Sequence, residues 1–242
     1  MKNGILLSGG MGTRLLPLTE IFNKQLISVN GKFIIDYSID TLKQMGVENL
    51  TIILGGTHFD QVVDHVKDGQ SFGLKVNYIF QNQAKGIAQA ISLCERYVSD
   101  AEEFAIILGD NLFENKVVWD ECDSSFAQIL LKEVPDPKRF GVAFCDENGI
   151  QKIVEKPTEL DPNYSCFAIT GCYLFNQKFF QYFKNIVPSQ RGEFEIVDII
   201  KAYHKDGLLK YSLYNDFWSD AGTHQSIAYC NNYFYNKGCA VK

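Results

Sequence analysis

Three sets of residues in this chain have the types and spacing needed to handle phosphate. The first is the run Ser8-Gly9-Gly10-Met11-Gly12-Thr13-Arg14, which directly follows the apolar Ile5-Leu6-Leu7. Glycine lets a ligand approach bare backbone, and successive backbone N–H groups in such a turn form an anion-binding concavity. Arg14 adds a forked donor suited to phosphate and Lys24 a mobile point charge. The spacing is neither that of a P-loop nor that of a G-x-G-x-x-G fingerprint, and alone it would also fit an ordinary glycine turn. The second set is Asp110, after Phe104–Leu108 and a glycine, and Asp220, in Trp218-Ser219-Asp220-Ala221-Gly222-Thr223. Two carboxylates on separate loops at one mouth suit Mg²⁺, which takes one or two carboxylates and completes its octahedron with phosphate oxygens and water. Taken singly, each aspartate is better explained as a turn or cap residue. The third set is Glu155-Lys156-Pro157 and Arg191-Gly192-Glu193, which a surface ion pair and a helix-start turn would also explain. His58, His65, His204 and His224 lack metal spacing and receive no role.

The elements needed to position these residues follow from hydrophobic periodicity. Apolar runs at Ile5–Leu7, Leu50–Leu54, Lys75–Phe80 and Phe104–Leu108 read as buried strands. Ile34–Met45, Asp60–Lys67 and Ile87–Val98 between them read as helices. This alternation predicts βαβ units and a mostly parallel sheet, with ligands beyond the carboxyl ends of its strands. Phe126–Val134, Gly141–Asp146, Ile150–Glu155, Ile169–Phe175 and Leu208–Leu213 continue as strands, with Thr158–Ser165 as a turn-rich loop. Helices are expected over Gln177–Phe183, Phe194–Gly207 and Gln225–Tyr235, and Asp220 is expected in a turn after a strand. The fold class is therefore α/β, a Rossmann-like three-layer sandwich around a mixed, mostly parallel sheet, with an embedded subregion. No repeat or composition break divides the chain. We read one domain, with parts over about 1–115, 116–225 and 225–242.

Composition narrows the ligands. There are 23 Lys and Arg against 29 Asp and Glu, a net charge of −6, which argues against a nucleic-acid binder. An acidic chain that holds a polyanion needs a local basic site and a divalent cation. The seven cysteines are odd in number and scattered, which predicts free thiols in a reducing cytoplasm. Met1-Lys2-Asn3-Gly4 runs straight into a core strand, so no signal peptide is read. No apolar run approaches the ~20 residues of a membrane span.

The motifs also occur in a telling order: SGGMGTRLLPLT with Lys24, LGDN at Leu108–Asn111, EKP at Glu155–Pro157, TG at Thr170-Gly171, RGEFEI at Arg191–Ile196 and WSDAGT at Trp218–Thr223. Together they resemble the sugar-1-phosphate nucleotidylyltransferases, and among these the short form of the glucose-1-phosphate thymidylyltransferases. The resemblance implies the reaction of dTTP with glucose 1-phosphate to give dTDP-glucose and pyrophosphate, the first step toward dTDP-deoxysugars such as dTDP-rhamnose. It implies that Leu7, Gly9, Gly10, Gly12, Thr13 and Arg14 hold the nucleotide and that Gln81 and Gly86 read the base. Arg14 and Lys24 would act in catalysis on the phosphates. Leu108, Gly141, Glu155, Lys156, Ile169, Thr170, Arg191 and Trp218 would bind the sugar phosphate, and Asp110 and Asp220 would hold Mg²⁺. A homotetramer or homodimer is also implied. Ser28, Phe33 and Ala84 stand where the family usually has proline. A uridylyl- or cytidylyltransferase, another hexose 1-phosphate, and a silent nucleotide-binding regulatory subunit remain as alternatives.

Overall fold

The computed structural model describes residues 2–119 and 123–238, so Cys122 and Cys239 lie outside the described residues. The first half alternates as expected: β1 (Asn3–Ser8), β2 (Ser28–Val29), β3 (Lys32–Phe33), α1 (Ile34–Gln44), β4 (Asn49–Leu54), α2 (Phe59–Val66), β5 (Lys75–Phe80), α3 (Ile87–Ser92) and β6 (Glu103–Leu108). β7 (Asn111–Phe113), β8 (Ala127–Lys132), β9 (Gly141–Asp146), β10 (Gly149–Glu155), β11 (Ser165–Asn176), α4 (Lys178–Phe183), α5 (Ile196–Lys205), β12 (Leu209–Leu213), β13 (Trp218–Asp220) and α6 (His224–Asn236) follow.

A nine-stranded sheet carries the order β10-β9-β11-β6-β1-β4-β5, with β8 on the other edge of β11 and β12 beside β8. β6, β1, β4 and β5 run parallel, and β11 runs antiparallel to β6. Both faces are covered, which explains the unbroken apolar runs. Ile5 and Leu7 pack with α3, α4 and α5 on one side, and Leu6 packs with α1 and α2 on the other. A smaller core gathers Val29, Leu112 and Phe217 under α6.

β11 creates the space for a site. Along one edge, Cys172–Asn176 pair with β6 while Ser165–Ala168 pair with β9. The carboxyl end of β6 and the amino end of β9 therefore point at each other across Ile169–Gly171. This interruption in the sheet is the floor of the cleft lined by Leu108, Gly141 and Trp218.

Several elements differ from the sequence reading. The helix expected over 87–98 ends at Ser92, where the Ser92 hydroxyl donates to the Gln89 carbonyl at 2.7 Å and competes with the backbone ladder; a separate 3₁₀ turn covers Glu95–Tyr97. The helix expected from Phe194 starts at Ile196. The Phe194 N–H donates to the Lys85 carbonyl at 2.7 Å and its own carbonyl accepts from Ala88 at 3.1 Å, which ties it to another loop. β11 begins four residues before the expected strand, because Ser165 already pairs with Cys145. Asp220 is not in a turn but ends β13, which pairs antiparallel with β7. The β2–β3 hairpin is an addition to the expected elements, although Asn30-Gly31, both with positive φ, is a strong hairpin signal. Cys94, Cys145, Cys166, Cys172 and Cys230 are unpaired.

Candidate active site

Two adjoining clefts open at the carboxyl ends of β1 and β6. The larger, about 430 Å³, is lined by Arg14, Leu108, Asp110, Arg139, Gly141, Ile169, Trp218 and Asp220 among others. The smaller, about 210 Å³, is lined by Leu7, Gly9, Gly10, Gln81, Gly86 and Arg191 among others. Ile87, Glu155 and Lys156 border both clefts. All but four of the candidate residues named above thus share one continuous mouth; Gly12, Thr13, Lys24 and Thr170 line neither cleft.

Lys24 lies just behind the wall. Its ammonium pairs with Asp110 Oδ2 at 2.7 Å, and it passes under Gly10, where a Cβ would stand 3.7 Å from Nζ. Gly12, at φ 63°, performs a related job. A Cβ there would meet Thr19 Cγ2 at 2.7 Å and Lys24 Cβ at 3.3 Å, and the Gly12 carbonyl accepts from Thr19 Oγ1 at 2.9 Å. Thr13 is exposed and opens a 3₁₀ turn. Thr170 is fully buried between two cleft-lining neighbours on β11, and its hydroxyl has no hydrogen-bond partner. Alternation along the strand turns it to the opposite face.

Asp110 and Asp220 arrive from different strands and meet at the cleft. The Ala221 N–H donates to the Asp110 carbonyl at 2.7 Å, and β7–β13 pairing sets Asp220 opposite Asn111. Their environments separate the two carboxyls. Burial pushes Asp110 up, but Lys24, Asn111 and Arg14 outweigh it and hold the carboxyl below its ordinary range. Burial pushes Asp220 up to about 6, opposed by Arg139 and Arg14 and reinforced by the Asp110 charge. Among the described residues no third carboxylate, histidine or cysteine joins them in a metal-binding group. Two carboxylates with open space between them and a phosphate site fit Mg²⁺, which draws its other ligands from phosphate and water. They do not fit a closed protein-only cage.

Arg14 reaches this point over Gly222, where a Cβ would stand 2.8 Å from its Nη2. Its guanidinium makes no ion pair among the described residues. Arg139, which has no role in the sequence reading, donates from Nη2 to Asp220 Oδ2 at 3.2 Å. Asn111 is also absent from that reading's site residues, although it stands inside LGDN. It is 2% exposed and accepts on Oδ1 from the Gly171 N–H at 2.9 Å and from Trp218 Nε1 at 2.8 Å. Its Nδ2 donates to Asp110 Oδ1 at 3.0 Å. One amide thus joins the floor, the Trp218 wall and the carboxylate. A Cβ on Gly171 would lie 2.6 Å from that amide, which explains the glycine.

The far side of the mouth is differently charged. Arg191 Nη2 faces Glu195 at 2.8 Å, Glu193 at 3.2 Å and Glu155 at 3.4 Å, and Lys156 faces Glu155 at 3.4 Å. Burial raises the Glu155 carboxyl, with Lys156 and Arg191 opposing and Glu195 adding to the shift. Lys156 holds φ 43°, costing of order 1–3 kcal/mol for a non-glycine residue, and its N–H donates to the Phe140 carbonyl at 3.0 Å.

A parallel sheet ending in a glycine loop, two converging carboxylates and flanking cations make a site for phosphate chemistry. Residues 3–237 match the family model for nucleotidyl transferase. The chain belongs to that family. Among its curated relatives is the low-salt glycan biosynthesis nucleotidyltransferase Agl11 of Haloferax volcanii, 34% identical over 94% of this chain and 64% of that protein. A glucose-1-phosphate thymidylyltransferase of Xanthomonas campestris is 34% identical over 96% of this chain and 80% of that one. The crystal structure of a candidate glucose-1-phosphate thymidylyltransferase from Bacillus anthracis, with sucrose, superposes with a TM-score of 0.84 at 40% identity, covering 96% and 95% of the two chains. A UDP-glucose pyrophosphorylase with UDP-glucose shares the fold at a TM-score of 0.83 and 23% identity, over 98% of this chain and 99% of that one. The chain spans less than two thirds of the Haloferax relative and about four fifths of the Xanthomonas one. Family membership fixes the class of chemistry for this nucleotidyl transferase. No helix among the described residues is long and apolar enough to cross a membrane.

Proposed function

We propose that this nucleotidyl transferase joins dTTP and α-D-glucose 1-phosphate to form dTDP-glucose and pyrophosphate. The gathering of Arg14, Asp110 and Asp220 in the larger cleft, with Lys24 paired to Asp110 behind its wall, carries this reading. A phosphate oxygen of the sugar ester attacks the α-phosphorus, a new P–O bond forms, and the bond to the pyrophosphate oxygen breaks. The attacking oxygen is already an anion, so no general base is needed. The difficulty is to hold two polyanions in line, and positioned cations supply most of the required stabilisation. Arg14 meets the leaving pyrophosphate, and Lys24 stands by the α-phosphate. Asp110 and Asp220 would hold Mg²⁺, which when bound neutralises charge on the phosphate oxygens. Gly9, Gly10 and Gly12 leave backbone bare for the triphosphate, while Gln81 and Gly86 meet the base. Glu155, Lys156, Arg191, Gly141 and Trp218 surround the sugar phosphate.

The thymidylyltransferase relatives support this nucleotide and sugar. Ala84, in the smaller cleft where the family usually has proline, supports a second reading in which another pyrimidine nucleotide is used. Exposed Tyr229 and Tyr235 on α6 are offered as part of a homodimer or homotetramer contact, which sedimentation velocity would measure. The test of function is pyrophosphate release from a panel of nucleoside triphosphates and sugar 1-phosphates. Fastest turnover with dTTP and glucose 1-phosphate is expected. A faster pair would move the assignment within the family, and no release with any pair would leave only the silent nucleotide-binding subunit.

A further inference from the structure

Gln81 follows β5, its N–H donating to the Leu54 carbonyl at 2.8 Å, and its side chain lines the smaller cleft beside Gly9. A carboxamide has a donor end and an acceptor end, and its neighbours decide which end is offered to a ligand. Here Gln81 Nε2 donates to Gln89 Oε1 at 2.7 Å. Gln81 Oε1 then faces Gly9, 3.1 Å from where a Cβ on that glycine would stand. The backbone that carries Gln89 is held in place: α3 begins at the Gly86 loop, which Phe194 clamps through Lys85 and Ala88.

We propose that Gln89 is a positioning residue. It holds the Gln81 carboxamide with its oxygen toward the cleft, so that the site selects pyrimidines with a protonated N3, thymine or uracil, against cytosine. The inference rests on the proposed nucleotide site and deepens it. An acceptor at Gln81 matches the N3–H of thymine or uracil. Opposite the bare N3 of cytosine it would set two acceptors face to face, with neither satisfied. An acceptor left facing another acceptor without its donor loses ~10–10²-fold in affinity.

The test compares UTP with CTP, both as kcat/KM with glucose 1-phosphate and as dissociation constants without it, in the wild type and in Gln89→Glu, Gln89→Leu and Gln89→Lys. The wild type should prefer UTP by ~10²-fold. A glutamate in place of Gln89 can only accept from Gln81, so Gln89→Glu should retain the ratio. Gln89→Leu releases the carboxamide, and the ratio should fall by ~10-fold, about the value of one hydrogen bond. Gln89→Lys can only donate, which turns Gln81 Nε2 into the cleft, and its ratio should fall furthest. A merely structural role would weaken both nucleotides alike and leave the ratio unmoved. An unchanged ratio in the leucine and lysine variants, a glutamate variant as relaxed as the lysine variant, or a wild type indifferent to the two bases would each overturn the inference. A binding ratio that shifts as expected without any turnover would uphold Gln89 and remove the proposed reaction instead. Absence of binding by either nucleotide would remove both.

Discussion

The cations proposed for the two substrates are held in different states. Of the two cations proposed for the triphosphate, Arg14 is without an ion pair among the described residues and Lys24 touches one carboxylate. Of the two proposed for the sugar phosphate, Arg191, in the smaller cleft, faces three carboxylates and Lys156, at the border of both clefts, faces one. Under the proposed roles, Arg14 is open to a phosphate as it stands, whereas Arg191 must exchange partners before it can hold one. That exchange is cheap, because Arg191 and Lys156 are 43% and 48% exposed and such pairs contribute only ~0–1 kcal/mol each. The half-buried Lys24–Asp110 pair is a fixed part of the wall, while the outer pairs act as placeholders. The difference predicts that losses on the nucleotide side appear in kcat and losses on the sugar side in KM.

The largest effect expected is on the nucleotide side. Arg14→Ala should lower kcat by ~10²–10³, as for a lost transition-state donor. Arg191→Ala should mainly raise the KM for the sugar phosphate, by ~10-fold, about one charge-assisted hydrogen bond. Steady-state kinetics with each substrate varied would read both, and a kcat loss at Arg191 equal to that at Arg14 would erase the distinction.

The next effect depends on pH. The Asp220 carboxyl, raised to about 6, is ionised above that pH and protonated below it. A proton there competes with a divalent cation, so the rate should fall about tenfold per unit once the pH drops below about 6. Added Mg²⁺ should recover it by mass action. Asp110, held low, should remain ionised through the same range. A pH–rate profile at two Mg²⁺ concentrations checks this, and profiles that superpose would exclude the competition. The smallest effect expected is at Glu193, 41% exposed and 3.2 Å from Arg191. Glu193→Gln removes one placeholder and should lower the sugar-phosphate KM by ~2–5-fold. A raised KM would mean that Glu193 instead orients Arg191.

Much of the nucleotide side is legible in the sequence, because it is built from local βα units whose apolar periodicity and glycines record their own geometry. Ile5–Leu7 running into Gly9 and Gly10, and Phe104–Leu108 running into Asp110, place both loops correctly at the strand ends. The sugar side depends on long-range antiparallel pairing, which leaves little local trace. Nothing near Ile169 signals that β6 and β9 end against each other across it. Thr170 groups with the ligand residues in sequence because it adjoins Gly171, whereas strand alternation buries it on the other face. Arg139 lacks any motif, and its partner Asp220 is 81 residues away. Asn111 reads as one letter of a motif, yet its amide ties Gly171, Trp218 and Asp110 together. The Asn30-Gly31 hairpin, by contrast, is written in the sequence by its turn residues alone.

The convergence of carboxylates and cations is tested most directly by the Mg²⁺ dependence of pyrophosphate release from dTTP and glucose 1-phosphate, in the wild type and in Asp110→Asn. The wild type should require the cation, and Asp110→Asn, with its melting temperature retained, should lose ~10³-fold in rate at any Mg²⁺ concentration. Release that proceeds equally well in chelator, or an Asp110→Asn variant as fast as the wild type, would contradict it.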